Sequence, residues 1–267
     1  MQRGAMSSAV ESDWSLPPPI RAVRAAFVFF TRLPVGGFPY RKEDWKWAAA
    51  HAPLVGLVLG SALGLLDRLL LPLGALPAAV LTIAVSLLLT GAFHEDGLAD
   101  TSDALGGGYN VERIRTILKD SRIGTFGGTA LVVSIVGRAT LLAQLGETVV
   151  FAFPLVFCAA RVGPIWLMAS MNYVTAEEPA KSRDLTQAGF SQATVASAWF
   201  ALLSIALVRA DQFSAERVGT LIAGLALVTL FTGWRYWVRA RGVTGDFLGA
   251  TEQLCELAAL AVLAWRS

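Results

Sequence analysis

Charge is what this chain has least of. Only 16% of its 267 residues are Asp, Glu, Lys or Arg, while 55% are hydrophobic, against about 25% charged in an ordinary soluble domain. Mean hydropathy is +0.57, so much of the surface is expected to face lipid rather than water. Cysteine is almost absent. Cys158 and Cys255 stand in apolar runs without CxxC or Cys/His spacing, which indicates neither a disulfide nor a zinc site. A net charge of +2 is too small to imply a nucleic-acid partner. The first nineteen residues are polar, end in Pro17-Pro18-Pro19, and lack the apolar stretch and cleavage site of a signal peptide. Residues 1–20 therefore read as a disordered cytosolic extension, ahead of a single transmembrane catalytic domain over 21–267. No periodic repeat is visible.

What is abundant is long apolar runs. Crossing the hydrocarbon takes roughly 20 mainly apolar residues. Ala48–Leu71, Leu76–Phe93, Thr125–Leu145, Val149–Met171, Thr194–Val208, Val218–Trp237 and Leu254–Trp265 qualify, the fifth and seventh being short. The expectation is an all-α, polytopic membrane bundle of about seven transmembrane helices. Val23–Phe30 is apolar but too short to cross, as an interfacial or re-entrant helix would be.

Lys and Arg in short loops set orientation. Arg21, Arg24, Arg32, Arg41, Lys42 and Lys46 precede the first run. Arg113, Arg115, Lys119 and Arg122 follow the second, Lys181 and Arg183 the fourth, and Arg239 and Arg241 the sixth. The alternate connections carry little or no positive charge. A cytosolic N-terminus puts every basic loop inside, and the polar segments 94–122, 172–192 and 239–252 on that same face.

The most informative of these is His94-Glu95-Asp96-Gly97-Leu98-Ala99-Asp100-Thr101-Ser102-Asp103. In a helix, Asp96, Asp100 and Asp103 at i, i+4 and i+7 share one face. Carboxylates stacked so repel unless a cation sits among them, and hard oxygen ligands suit Mg²⁺, which commonly bridges to a substrate phosphate. The bland alternative, an acidic helix start favoured by the helix dipole, accounts poorly for four acids within nine residues. Gly97 permits close approach of a backbone or substrate. Downstream, Lys119 and Arg122 are phosphate-binding types, and Ser121 is placed to cap the next helix. Asp246, between glycines ahead of the last run, fits a cap, a metal ligand or a general base equally, and Glu252 and Glu256 extend this acidic face. Arg138 and Arg161 lie mid-span, where a charge needs an interior ion pair or a polar cavity for an anionic substrate.

Four ordered strings carry a family resemblance. Phe30–Val35 (FTRLPV), His94–Gly108 (HEDGLADTSDALGGG), Lys119–Gly127 (KDSRIGTFG) and Val243–Ala250 (VTGDFLGA) make the chain, from about Arg21 onward, similar to the cobalamin synthases, that is, adenosylcobinamide-GDP ribazoletransferases. The resemblance implies an Mg²⁺-dependent enzyme of the bacterial inner membrane, its active site facing the cytoplasm. It would join adenosylcobinamide-GDP to α-ribazole, or to α-ribazole 5′-phosphate, with release of GMP. Read onto this chain, Asp96, Asp100 and Asp103 would hold the metal and Glu95 would assist or act as base, with Asp246 the alternative base. Lys119, Arg122 and, more weakly, Arg32 would hold phosphates, with Arg138 and Arg161 as further substrate-binding candidates. Partners would be the two small-molecule substrates and the lipid bilayer, with self-association left open. Rival readings are a CDP-alcohol phosphotransferase, whose motif carries Arg where Asp100 stands, and a secondary transporter, which would place its site near the midplane.

Overall fold

The computed structural model describes residues 16–36, 40–174 and 188–265. Their secondary structure is helical, in twelve α-helices: α1 Pro18–Phe30, α2 Lys42–Ala48, α3 Ala52–Leu70, α4 Ala75–Thr90, α5 Phe93–Gly107, α6 Val111–Leu118, α7 Thr125–Leu142, α8 Val149–Ala160, α9 Val162–Ser170, α10 Phe190–Arg209, α11 Ala215–Ala240 and α12 Gly245–Ala264. Among the described residues there is no strand, only an isolated bridge between Tyr173 and Val243. Among the described residues six helical stretches are long and apolar enough to cross a membrane, or seven if α4 and α5, bent by 91°, are counted together as one broken span. The expected all-α membrane bundle is the observed one.

Two boundaries differ from expectation for physical reasons. Pro17-Pro18-Pro19 opens α1 rather than closing a disordered extension, because proline suits the first helical turn, where no N–H partner is needed. A buried Arg21–Asp44 pair at 3.2 Å then ties α1 to α2. The last span begins at Gly245, nine residues before Leu254, and is 20 residues long. Asp246, Glu252 and Glu256 lower its hydropathy but lie along it, and both glutamates are buried. The polar loop at 172–192, with Lys181 and Arg183, falls mostly outside the described residues.

α3 and α8 approach almost backbone to backbone. Gly56, Gly60 and Gly64 recur every four residues, and a Cβ at Gly60 would stand 2.7 Å from the Phe153 carbonyl oxygen. Small residues at this spacing are how membrane helices pack without a hydrophobic driving force between them. α8, α9 and α12 form the enclosed interior. α7, α10 and α11 present Val132, Val133, Leu202, Leu227, Leu230 and Phe231 outward, each more than half exposed, as a lipid-facing shell requires.

The bend between α4 and α5 positions the site. Gly91 and Ala92 are both left-handed, at φ 69° and 55°. Glycine takes that conformation freely; alanine does so at a cost. Arg32 lies against Gly91, where any side chain would collide with it, and its N–H donates to the Leu89 carbonyl at 2.7 Å. The chain thus turns sharply and starts α5 with its acids in the first turns.

Candidate active site

α5 is helical from Phe93 to Gly107, so the expected carboxylate spacing is realised. Asp96 is exposed, and Asp100 and Asp103 are half-buried. Asp100 lies within electrostatic reach of both Asp96 and Asp103. Asp103 accepts from the backbone N–H of Gly124 at 2.6 Å and of Gly127 at 2.8 Å. It therefore satisfies the open N-terminus of α7, the role expected of Ser121. That helix end is a ready anion site, and here a side chain of the protein fills it.

A cleft of about 610 Å³ opens beside these acids, with Arg32, Glu95, Asp96, Asp100 and Ser121 among its lining residues. Arg32 thus lies on the same cleft as Asp96 and Asp100. Lys119 and Arg122 are exposed in the segment between α6 and α7 and do not line this cleft. Arg122 is bound to Asp120, through Nε at 3.0 Å and Nη2 at 2.7 Å. Those hydrogen bonds hold the Asp120 carboxyl down at about 2. Arg122 is thus engaged by its own neighbour rather than aimed at the acids of α5.

The mid-span arginines resolve as interior ion pairs. Arg138, 1% exposed, lies 2.9 Å from Glu95 and 3.2 Å from Glu256. Arg161 lies 3.0 Å from Glu252, and His94 Nδ1 lies 3.4 Å from the other oxygen of that carboxylate. Of the two readings for Arg138, an interior ion pair and a cavity for an anionic substrate, the ion pair is the one observed. Glu95 is held against a guanidinium, 2.9 Å from Arg138. Glu252 and Glu256 do not extend an acidic surface; they face inward and neutralise arginine. Arg161 is paired too, yet it lines a cavity. The sequence reading passed over His94 and the role of the glutamates on α12. The available signal was two mid-span arginines together with Glu252 and Glu256 at i and i+4.

That cavity, of about 280 Å³, lies between α1, α5, α9 and the start of α12. Phe29, Phe30, Phe93, Met168 and Leu248 supply apolar wall, and His94, Asp96, Arg161, Asp246 and Glu252 supply the polar groups. Thr244 caps α12, its hydroxyl accepting from the Phe247 N–H at 3.3 Å. Of the three readings for Asp246, capping is thus performed by another residue. Asp246 reaches α5 because Gly97 has no side chain: a Cβ there would stand 2.8 Å from the Asp246 carbonyl oxygen and 3.2 Å from the Gly249 Cα.

Among the described residues no three His, Cys, Asp or Glu side chains converge closely enough to hold a metal ion unaided. A complete protein cage of Asp96, Asp100 and Asp103 is therefore not what α5 builds. Mg²⁺ rarely takes such a cage; it keeps waters and binds one or two carboxylates together with substrate phosphate. Asp96 and Asp100 fit that donor set. Asp103, each oxygen already accepting one N–H, fits better as their neighbour and as the anchor of α7.

A polytopic helical membrane protein with an acidic cleft backed by a largely apolar cavity is the class that fold and site define. More particularly, the chain belongs to the family described as Cobalamin-5-phosphate synthase, whose model matches residues 22–264. It is similar to proteins named adenosylcobinamide-GDP ribazoletransferase. The one from Vibrio cholerae serotype O1 is 38% identical over 239 residues, covering 87% of this chain and 88% of the relative. Those from a Polaromonas species and from Rhizobium johnstonii are 38% and 37% identical, each covering 90% of this chain and 94% of the relative. No solved structure matches the chain.

Proposed function

We propose that the chain is an Mg²⁺-dependent adenosylcobinamide-GDP ribazoletransferase, acting in the last assembly step of cobalamin. A ribose hydroxyl of the acceptor supplies the nucleophile, and because α-ribazole 5′-phosphate can serve in place of α-ribazole it is a ring hydroxyl rather than the 5′ one. Adenosylcobinamide-GDP supplies the electrophilic phosphorus, and GMP leaves. The observation that carries this reading is the contrast between compensated and uncompensated acids at one helix start. Glu95, Glu252 and Glu256 each lie within ion-pair distance of an arginine, Arg138 or Arg161. Asp96 and Asp100, on a cleft shared with Arg32, have no basic side chain paired with them among the described residues.

Transfer of a substituted phosphoryl group asks for positioning and charge neutralisation more than for covalent catalysis. Asp96 and Asp100 would hold Mg²⁺, which when bound neutralises diphosphate charge and that of departing GMP. Arg32 adds positive charge on the same cleft. Asp246 stands on the far side of Asp96, next to the cavity, where it can accept the hydroxyl proton. The paired Glu95–Arg138–Glu256 core fixes the start of α5, so that Asp96 is held at the junction of the two spaces. The basic loops support an N-terminus in the cytosol and an inner-membrane setting with the acidic cleft facing the cytoplasm.

The test is GMP release by the purified protein in detergent or proteoliposomes. Release should require adenosylcobinamide-GDP, α-ribazole and Mg²⁺ together. Release that persists without α-ribazole, or none with all three in folded protein, contradicts the proposal. CDP-activated lipid alcohols should yield no CMP.

A further inference from the structure

The cleft and the cavity share three lining residues, Phe29, Phe93 and Asp96, so they meet at the proposed metal-binding residue rather than lying apart. Their chemistry is opposite. The cleft carries Arg32, Asp100 and Ser121, the groups a diphosphate and its cation require. The cavity is walled by aromatic and aliphatic side chains, and the acids that line it, Asp96, Asp246 and Glu252, disfavour an anion. Its one cation, Arg161, already faces Glu252 at 3.0 Å. Phe29 and Phe93 meet edge to face at 5.4 Å between centroids, and Phe30 stacks on His94 at 6.3 Å, which gives rigid aromatic wall at little entropic cost. At about 280 Å³ the space is at the small end of ligand pockets, on the order of 300–1,000 Å³. A corrinoid macrocycle does not fit; a flat bicyclic base does, with its sugar left at the opening.

We propose that this cavity is the acceptor site, taking the flat, apolar, uncharged base of the attacking nucleoside, while the diphosphate donor occupies the cleft on the other side of Asp96. The inference rests on the ribazoletransferase reading and deepens it. The base enters between Phe30 and Met168, and the ribose stays by Asp96 and Asp246, its attacking ring hydroxyl directed toward the cleft. Attacking oxygen and leaving GMP thus lie on opposite sides of the phosphorus, the arrangement an in-line displacement needs. Both substrates are bound at once, so the hydroxyl attacks the donor directly, without a phosphorylated enzyme.

Two measurements test this. Met168→Trp and Leu248→Phe each fill the cavity from a different helix. Each should raise the KM for α-ribazole at least about tenfold and leave the KM for adenosylcobinamide-GDP within about twofold. A rise confined to the donor KM, or no change in either, overturns the proposal. In parallel, an azido-substituted benzimidazole riboside is photolysed with wild-type protein without donor or Mg²⁺, and the labelled peptides are identified by mass spectrometry. Label on Phe29, Phe30, Met168 or Leu248, displaced by excess α-ribazole, is expected. Label around Arg32 and Ser121, or no displaceable label, overturns it even if both variants misfold. Displaceable cavity labelling in a protein that releases no GMP would sink the enzymatic reading and leave the nucleoside site standing.

Discussion

Glu95 and Asp96 are adjacent in sequence and alike in chemistry, yet the fold treats them in opposite ways. Glu95 turns inward, 6% exposed, and meets Arg138 at 2.9 Å. Asp96 turns outward, at the junction of cleft and cavity. The same division runs through the whole acidic set: the inward acids Glu95, Glu252 and Glu256 have arginines, while Asp96 and Asp100 have none among the described residues. Removing two unit charges from water is costly, and pairing offsets that cost only when both partners are present. Each inward acid thus has a guanidinium beside it and a structural role, the three carboxylates sharing Arg138 and Arg161. The outward pair lacks that compensation among the described residues, which is what the proposed Mg²⁺ would supply.

The comparison is broken most severely at its inward half. Arg138→Ala leaves Glu95 and Glu256 buried without a counter-charge and should cost about 3–5 kcal/mol of stability, read by unfolding in detergent. Adding Glu95→Gln and Glu256→Gln should recover most of that loss. At the outward half, Asp96→Asn should leave thermal stability unchanged or slightly raised while lowering GMP release by about 10²–10³-fold. A drop in stability with activity retained would reverse the two assignments. Gly97→Ala tests how closely the halves are held together. Its methyl group would press on the Asp246 carbonyl oxygen from 2.8 Å and should cost about 1–3 kcal/mol by overpacking.

Asp103 sits between the two classes, outward but satisfied by the amides of α7. Asp103→Ala should cost about 0.5–2 kcal/mol, as loss of a helix cap does, seen as lowered thermal stability. The smallest effect is at Asp120. Its carboxyl is held at about 2 by hydrogen bonds from Arg122, below the ordinary value near 3.8. The pair's contribution is present above about pH 4 and fades as pH falls toward 2. Asp120→Asn should therefore be slightly less stable than wild type at pH 7 and converge with it as pH falls through and below about 2, in acid titrations of unfolding.

Much of this was legible in the sequence. The apolar runs fixed the bundle, and the i, i+4, i+7 spacing placed Asp96, Asp100 and Asp103 on one side of a helix. Gly97 was recognised as a point of close approach. Other features were out of reach of pattern alone. Whether Arg138 faces a substrate or a glutamate depends on which helices pack together, and its partner Glu256 lies far along the chain. Hydropathy cut the last span short because it counts Asp246, Glu252 and Glu256 as solvent-seeking, whereas two of them are neutralised inside. The right-angle turn at Gly91–Ala92 had no clear signal, since alanine seldom adopts a left-handed conformation. The GxxxGxxxG stripe of α3 was present to be read and is explained only by the backbone of α8 lying against it.

Divalent-cation binding tests the central claim most directly. Mn²⁺, as a spectroscopic stand-in for Mg²⁺, is titrated into the detergent-solubilised protein and free ion is counted by electron paramagnetic resonance. Saturable binding should survive in Glu95→Gln and disappear in the Asp96→Asn/Asp100→Asn double variant. Equal binding by folded wild type and double variant would show that these aspartates do not gather the ion.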